Sequence, residues 1–190
     1  MKKIVFLLEE PSMKEVLTII LPKILPMEFP FQCVHHNGKS ALRKSIPIKT
    51  KGWNEPGVQF VVVHDKNSAD CKILKSELYN LIDNSRHAST LIRIVCTELE
   101  SWFLGDLNAV EKGYNKNLSV HKMKKSFRNP DTISNAKQVL KKIIPTYQPI
   151  SGSIAIAKFM DITENKSHSF NVFVSGIKKL IRENHHELRL

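Results

Sequence analysis

A run of seven residues in the middle of the chain, Val58-Gln59-Phe60-Val61-Val62-Val63-His64, restricts the fold more than any other feature. It is rich in β-branched residues and has the length of a single strand. Comparable apolar runs lie at residues 3–8, 31–36 and 91–96, with helix-forming stretches between them. Strands that are apolar on both faces and alternate with helices are typical of a parallel sheet with helices on both sides. The sequence therefore predicts an α/β, Rossmann-like fold with a mostly parallel sheet of about four strands and flanking helices.

The first helix boundaries follow from capping residues and proline. Ser12 and Glu15 fit a capping box, which predicts that a helix begins just after the Glu9-Glu10 pair. Residues 38–45 predict a short basic helix that ends before Pro47, because proline disrupts a helix interior.

Further helices are predicted after the third strand and over the C-terminal part of the chain. An apolar stripe at helical spacing predicts a helix over residues 69–83. From Glu98 onwards the pattern stays helical, with a break near residues 145–152. No linker composition separates these helices from the strands. We therefore expect one compact domain, with an α/β core at 1–105 and a helical C-terminal extension at 106–190 packed on it.

Composition excludes several classes of protein. The chain has 190 residues, which is enough to bury a core without a disulfide or a structural metal. Its three cysteines form no C-x-x-C pair, and neither a P-loop nor a zinc-binding histidine spacing is present. No apolar stretch approaches the roughly 20 residues of a membrane-spanning helix, and the apolar run after Met1-Lys2-Lys3 is too short for an export signal. We expect a cytoplasmic protein.

Basic residues outnumber acidic ones, 29 to 18, and the resulting net charge of +11 attracts polyanions. Nine of the basic residues lie between positions 112 and 142, where Asp131 is the only acidic residue. A helical region so one-sided in charge is typical of a phosphate-binding surface. The residues that we expect to bind nucleic acid are Lys122, Lys124, Lys125, Arg128, Lys141 and Lys142.

Aromatic residues and a second basic cluster bear on the same prediction. Phe127, Tyr114 and Tyr147 lie in or beside the basic window, where they would stack on exposed bases. Residues 39–51 form a second basic cluster after the second predicted strand. The alternative interpretation of both clusters is a solvated basic face without a partner.

Acidic residues collect where the predicted strands end. The first strand ends in Glu9-Glu10, and the third ends in Asp65-x-Asn67 with Asp70 shortly after it. The fourth ends in Glu98-x-Glu100. Ligands of open α/β sheets bind at the carboxyl ends of the strands, so we expect these groups to lie at one edge. Their oxygens suit Mg²⁺ or Mn²⁺, which makes them candidate metal ligands: Glu9, Asp65, Asn67, Asp70, Glu98 and Glu100.

A second interpretation of the same residues needs no metal. Aspartate and asparagine after a strand are common turn and helix-capping residues, and Asp65 or Asn67 could have only that role. Glu9 and Glu10 could complement the dipole of the helix that follows them. His64, directly before Asp65, is a candidate for tuning the site.

Four stretches, spread from residue 8 to residue 176, carry a family resemblance. They read LEEPS at residues 8–12, VHDKNSADC at 63–71, ELESWFLGD at 98–106 and SFNVFVSG at 169–176. In this order they resemble a family of small, stand-alone bacterial Toprim-like proteins of unknown function. The strand ending in Glu and the later strand ending in Asp-x-Asn also resemble the Toprim domain of topoisomerases, bacterial primases and overcoming-lysogenization-defect (OLD) nucleases.

The resemblance implies roles for individual residues. Glu9 matches the Toprim glutamate, a metal ligand or general acid/base, and Asp65 matches the first aspartate of the Asp-x-Asp pair, a metal ligand. Asn67 departs from the pattern, because an amide oxygen can bind Mg²⁺ but brings no negative charge. Asp70, with Glu98 or Glu100, could supply the missing charge. The residues expected to be catalytic are Glu9, Asp65 and Asp70.

The leading hypothesis is a Mg²⁺- or Mn²⁺-dependent Toprim-like nuclease that cleaves phosphodiester bonds in DNA or RNA. The resemblance also implies an ATPase partner in a bacterial defence system. The alternative is a catalytically weak or inactive subunit that binds nucleic acid or the ATPase, and Asn67 favours it. A third hypothesis is an α/β protein that binds a small phosphorylated ligand. The oligomeric state, including a homo-oligomer, is left open.

Overall fold

The computed structural model describes the backbone of residues 3–187 and the side chains of residues 3–183. At its centre is a four-stranded parallel sheet in which the strands lie in the order β2-β1-β3-β4. The strands are β1 (Ile4–Leu8), β2 (Phe31–His35), β3 (Gln59–Asp65) and β4 (Thr90–Val95). The predicted α/β, Rossmann-like fold with a parallel sheet is confirmed. The first two residues of the predicted core (1–105) and the last three of the predicted extension (106–190), namely 1–2 and 188–190, lie outside the described residues.

Helices connect and cover the strands. In the described residues the α-helices are α1 (Pro11–Ile20), α2 (Lys39–Gly52), α3 (Cys71–Asn80), α4 (Glu100–Leu104), α5 (Leu107–Tyr114), α6 (Ser119–Lys122), α7 (Ala136–Ile143), α8 (Pro149–Ala157) and α9 (His168–Glu187). Short 3₁₀ helices lie at Leu21–Lys23, Asn84–Ser89, Lys125–Arg128 and Pro130–Thr132. The predicted break near residues 145–152 only overlaps the loop between α7 and α8, because residues 149–152 are already helical; further breaks, which the sequence did not predict, follow α5, α6 and α8.

Two hydrophobic clusters cover the two faces of the sheet. On one face, Val5, Leu7 and Val62 pack against Leu42 of α2 and Leu78 of α3. On the other face, the alternate strand residues pack against α1, α4 and the helices that follow, down to α9. This larger cluster includes residues on both sides of position 105, so the strands and the C-terminal helices share one core.

Pro47 does not end α2, contrary to the sequence prediction, and the helix continues to Gly52. The buried residues Leu42, Ile46 and Thr50 repeat every four positions and face the sheet on both sides of the proline. Tertiary packing of that face therefore outweighs the backbone hydrogen bond that proline cannot make.

The predicted capping box is also wrong. The residue that caps α1 is Glu10, which makes no side-chain hydrogen bond to the helix backbone, and Pro11 is the first helical residue. Proline is favoured at this position because a backbone N–H in the first turn has no acceptor within the helix, so its absence costs no hydrogen bond. Ser12 instead donates a hydrogen bond from Oγ to Glu10 Oε2 over 3.4 Å. The first helix thus begins immediately behind the two glutamates.

Over the described residues, the helices are all too short or too polar to span a membrane.

Candidate active site at the carboxyl edge of the sheet

The parallel register of the central strands brings Glu9 and Asp65 together. Leu8 of β1 pairs with Val63 of β3, so Glu9, which follows β1, and Asp65, the last residue of β3, lie at the same edge. The backbone N–H of Asp65 donates to Glu9 Oε2 over 3.2 Å. The side chain of Glu9 is almost completely buried, which fixes it against the end of β3.

Asp65 stands in the middle of a group of carboxylates. It is partly accessible at its outer side but otherwise enclosed by protein, and this enclosure raises the pKa of the carboxyl well above its usual range. Repulsion from Glu9, Glu100 and Glu10 raises that pKa further, and only the backbone N–H of Leu99 opposes the shift. Several acidic side chains therefore meet at this point, where Asp65 is costly to ionise.

Glu100 approaches the same point from the start of α4. Its side chain is buried, and Tyr147 donates a hydrogen bond from its hydroxyl to Oε1 over 2.9 Å. Burial raises the pKa of Glu100, although the Lys137 ammonium, 4.0 Å from Oε1, partly offsets the rise. Burial and the nearby Glu100 carboxylate likewise raise the pKa of the Tyr147 hydroxyl.

Glu98 lies just before α4 and is held by α7. Its Oε2 accepts a hydrogen bond from the backbone N–H of Lys137 over 2.9 Å, in the first turn of that helix. Lys137 thus contacts Glu98 through its backbone and Glu100 through its side chain. The two glutamates are separated by one residue but have different partners.

His64 links Glu9 to the end of β3. Its Nδ1 lies 2.7 Å from the backbone oxygen of Asp65 and 3.2 Å from Glu9 Oε2. The ring is 3 % exposed, and its other nitrogen, Nε2, has no hydrogen-bond partner in the described residues. His64, which the sequence indicated only as a candidate for tuning, is therefore part of the site.

A small cavity lies between the acidic side chains. Its volume is about 10 Å³, and Glu9, Glu10, Asp65 and Leu99 are among its lining residues. That is about the space of one water molecule. The cavity is thus large enough for a single small ion and is bounded on several sides by carboxylates.

Asp70 and Asn67 lie outside this cluster. Asp70 caps α3, where Oδ1 accepts from the backbone N–H groups of Lys72 and Ile73 over 2.8 and 3.0 Å. These bonds lower the pKa of the exposed Asp70 carboxyl. Asn67 has a left-handed backbone with φ of 51°, a conformation that asparagine tolerates better than most residues. Asn67 has the turn role that the second interpretation of the sequence described, whereas the capping role of Asp70 was not predicted; the metal role of each stays a prediction.

Carboxylates are suitable ligands for a divalent cation, but those of this cluster are not arranged around one common point. Within the part of the chain that the structure describes, no three His, Cys, Asp or Glu side chains are arranged to hold a metal ion. Glu9 is turned toward the Asp65 N–H and His64, and Glu100 toward Tyr147. Carboxylate oxygens around a cavity of this size fit Mg²⁺ chemically.

One of the residues predicted to bind nucleic acid already has an acidic partner within the protein, because Lys122 forms an ion pair with Glu111. The other five residues expected to bind nucleic acid are exposed and form no ion pair with a described residue: Lys124, Lys125, Arg128, Lys141 and Lys142.

The predicted stacking role of the aromatic residues is wrong for two of them. Phe127 is buried, and Tyr147 is completely inaccessible and hydrogen-bonded to Glu100. Their apolar rings contribute to the large hydrophobic cluster beneath the basic surface. No local signal marked Tyr147 as a partner of Glu100, because the two residues lie 47 positions apart.

Comparisons with known proteins identify the family and support the fold. The profile of a family described as a domain of unknown function, DUF4276, matches residues 8–178, and the chain belongs to this family. Among solved structures, the C-terminal region of the Xanthomonas campestris pv. campestris OLD protein matches with a TM-score of 0.53 and 12% identity, over 98% of this chain and 97% of that chain. The chain therefore has an OLD-like fold. Among curated proteins, the comparison finds no match.

Proposed function

We propose that the carboxylate cluster binds Mg²⁺ or Mn²⁺ and that the protein is a Toprim-like nuclease, which hydrolyses phosphodiester bonds in DNA or RNA. The environment of Asp65 carries this proposal. An enclosed carboxylate with three acidic neighbours and a raised pKa is a costly arrangement in a protein of net charge +11. A divalent cation would neutralise it, and sites with strongly shifted pKa values are often functional.

Glu9, Glu10 and Asp65, which line the small cavity, would hold the ion. A bound Mg²⁺ or Mn²⁺ would polarise the phosphate and lower the pKa of a bound water. Glu9 would act as the general base that accepts the proton of the attacking water. As the new bond between water oxygen and phosphorus forms, the bond to the sugar oxygen breaks, and that oxygen takes a proton from solvent.

Basic side chains would hold the polyanionic substrate. Of the five exposed basic residues that are not ion-paired, three lie in the segment between α6 and α7 and two, Lys141 and Lys142, lie in the last turn of α7. Lys137, in the same region, already lies beside Glu100. The basic surface and the carboxylate cluster are thus connected through α7. This arrangement supports an anionic substrate whose cleavage depends on a metal ion.

The test is cleavage of plasmid DNA, single-stranded DNA and RNA with Mg²⁺ or Mn²⁺, and with EDTA. We expect Asp65→Asn and Glu9→Gln to abolish metal-dependent cleavage. Asp83→Asn is the matched control, because Asp83 caps a 3₁₀ helix before β4, at the opposite edge of the sheet. Equal cleavage by wild type and Asp65→Asn on every substrate would overturn the proposal.

Asn67 favours a second candidate function, a nucleic-acid-binding subunit that has lost catalysis. It replaces the second acid of the Toprim pattern, and the carboxylates are not arranged as a complete metal site. In that case wild type binds nucleic acid without cutting it, and Asn67→Asp introduces cleavage. The ATPase partner implied by the resemblance stays a prediction, which co-purification with an ATPase encoded beside this chain would test.

A further inference from the structure

A second concave surface, the cationic groove, lies beside the carboxylate cluster between α2 and α3. Its volume is about 300 Å³, and its three basic lining residues are Lys39, Arg43 and Lys66. Asp65 is another lining residue, so the groove opens directly onto the proposed catalytic site. Leu74 of α3 also lines the groove and belongs to the hydrophobic cluster on the sheet face under α2 and α3. The cationic groove therefore lies on that face, at the carboxyl edge of the sheet.

Two of the three cations in the groove form no ion pair within the part of the chain that the structure describes. Arg43 does have an acidic partner, because its Nη1 lies 2.9 Å from Glu77 Oε2. Lys66 is half-buried and Lys39 is exposed, and neither ammonium group forms an ion pair with a described carboxylate. A lysine that is partly withdrawn from water is stabilised when an anion replaces the lost hydration. The groove thus carries an excess of positive charge that suits a phosphate group.

Cations also lie on the other side of the carboxylate cluster. The buried residues of α7 belong to the hydrophobic cluster on the opposite face of the sheet. Lys137, in the first turn of this helix, lies 4.0 Å from Glu100, and the last turn carries the exposed Lys141 and Lys142. Carboxylates repel a phosphodiester strand, so a strand that passes Asp65 needs cations close by to hold it. The groove and α7 provide them from the two faces of the sheet.

We propose that the cationic groove binds a backbone phosphate of the substrate strand, which from there crosses the carboxyl edge past Asp65 to the lysines of α7. The groove is thus a positioning site, which holds the strand by a phosphate beside the scissile one and leaves the scissile phosphate at the carboxylate cluster. Phosphate contacts fix the register of a strand without reading its sequence, so we expect binding with little preference among sequences. The assignment rests on the proposed function, since it describes how the substrate of the same site is held.

Binding measured without divalent metal tests the groove separately from catalysis. Fluorescence anisotropy in EDTA would follow a labelled oligothymidine single strand at several salt concentrations. We expect Lys39→Met and Lys66→Met each to lower the affinity about 5-fold at about 0.1 M salt, because each removes one phosphate contact. Each should also reduce the slope of log affinity against log salt concentration by about 0.7. Because Lys39 is exposed, its variant keeps the test decisive if substitution of the half-buried Lys66 prevents folding.

Lys51→Met is the matched control. Lys51 is exposed in the last turn of α2, about 18 Å along the helix from Lys39, and its substitution removes the same charge. That distance exceeds the Debye length, which is about 8 Å at physiological salt, so the two variants share only the change in net charge. Equal losses in Lys39→Met and Lys51→Met, or no loss in Lys39→Met, overturn the groove assignment.

The double variant Lys141→Met/Lys142→Met tests the path across the sheet edge. If one strand contacts both flanks, this variant weakens binding as well, its loss multiplies with that of Lys39→Met when the substitutions are combined, and one strand binds per protein. Two bound strands per protein would indicate separate sites, and an affinity unaffected by Lys141→Met/Lys142→Met would show that the strand does not reach α7. Either result overturns the crossing path.

A small phosphorylated ligand would satisfy the same cations, and thermal unfolding with thymidine 5′-monophosphate or inorganic phosphate distinguishes the two sources. We expect the strand, at the same concentration of phosphate groups, to stabilise wild type more than either, because its linked phosphates contact several cations at once. Stabilisation by the mononucleotide that Lys39→Met abolishes, together with strand binding that this variant leaves unchanged, would assign the groove to a small ligand and overturn the strand proposal.

The two proposals fail in different ways. If the protein shows metal-dependent cleavage but Lys39→Met binds the strand as wild type does, the proposed nuclease function stands and the groove assignment is wrong. If Lys39→Met weakens binding and Lys51→Met does not, but no metal allows cleavage, the groove assignment stands and the nuclease proposal is wrong.

Discussion

Tyr147 donates a hydrogen bond of 2.9 Å to Glu100, joining the loop before α8 to the first residue of α4. Both side chains are buried, and Ser153 Oγ lies 3.4 Å from the same phenol oxygen. The bond lowers the pKa of Glu100 against the opposing effect of burial. It thus keeps an acid of the candidate site oriented at a position where water cannot solvate it.

Tyr147→Phe should therefore destabilise the protein. Loss of the Tyr147 hydroxyl that donates to Glu100 leaves a buried carboxylate without this hydrogen bond, which costs about 1–3 kcal/mol in the free energy of unfolding at pH 7. The pKa of Glu100 should rise further, so the loss should shrink as pH falls and the carboxyl becomes protonated. Urea denaturation at pH 5 and pH 7 measures this. Tyr79→Phe, on an exposed ring stacked against His87, should have little effect.

Asp65→Asn should raise stability at neutral pH while removing metal binding. The pKa of Asp65 is raised in the folded state, so its ionisation favours unfolding: stability is highest below the pKa of the unfolded chain, near 3.8, and is lost as pH rises through the higher folded value. Replacing the carboxylate with an amide removes this loss, a gain of about 1–3 kcal/mol at pH 8. Thermal unfolding between pH 5 and pH 8 checks it. A variant less stable than wild type at pH 8 contradicts the proposed repulsion.

Divalent metal should stabilise the wild-type protein. An ion that binds only the folded state at 100 times its dissociation constant adds about 2.7 kcal/mol, which raises the melting temperature by roughly 2–4 °C per kcal/mol for a chain of this size. We expect this shift with Mg²⁺ or Mn²⁺, its reversal by EDTA, and its loss in Glu9→Gln. A shift of equal size in Glu9→Gln would place the ion elsewhere.

Asp70→Ala separates capping from catalysis. Loss of the two hydrogen bonds to the first turn of α3 should cost about 0.5–2 kcal/mol of stability. Asp70→Ser should keep most of the wild-type stability, because serine also caps helices, although it carries no charge. Both variants should retain the metal-induced shift in melting temperature. If Asp70→Ser is stable but no longer responds to metal, Asp70 is a ligand.

Gly113→Ala should disrupt the contact between α5 and α8. A Cβ at this position would lie 2.9 Å from the backbone oxygen of Ala155 and 3.2 Å from Cα of Ile156, and these backbone atoms cannot move aside as a flexible side chain can. Overpacking of this kind costs about 1–3 kcal/mol, and we expect that loss in urea denaturation. Gly52→Ala is the control, because a Cβ there meets no atom within 4 Å. Equal stability of the two variants would contradict the close approach of α5 and α8.

The strands and the meeting of Glu9 with Asp65 could be predicted from the sequence because both depend on local pattern. An apolar run such as Val58–His64 has few alternatives to a buried strand, and parallel strands place their carboxyl ends at one edge. The capping role of Asp70 was not predicted, because an acid after a strand has the same local pattern whether it binds a metal ion or caps a helix. Only its bonds to Lys72 and Ile73 distinguish them.

The remaining parts of the site depend on contacts between distant residues. Nothing near Tyr147 indicates that its hydroxyl reaches Glu100, and a tyrosine beside lysines has the same pattern when it is exposed for stacking. Pro47 shows the opposite failure, in which a strong local signal is outweighed by packing of α2 against the sheet. In both cases the deciding free energy comes from burial, which the local sequence does not contain.

The shared hydrophobic core determines how this protein can be divided by genetic engineering. Trp102 of α4 lies with its ring 5.1 Å from Phe170 and 5.2 Å from Phe173, both in α9. A fragment that ends at residue 105 would expose this indole and the other apolar residues that pack against the C-terminal helices, and exposed apolar surface of that extent drives aggregation. Truncation is therefore unsuitable for separating metal binding from nucleic-acid binding, and point substitutions in the full-length chain are the appropriate tool.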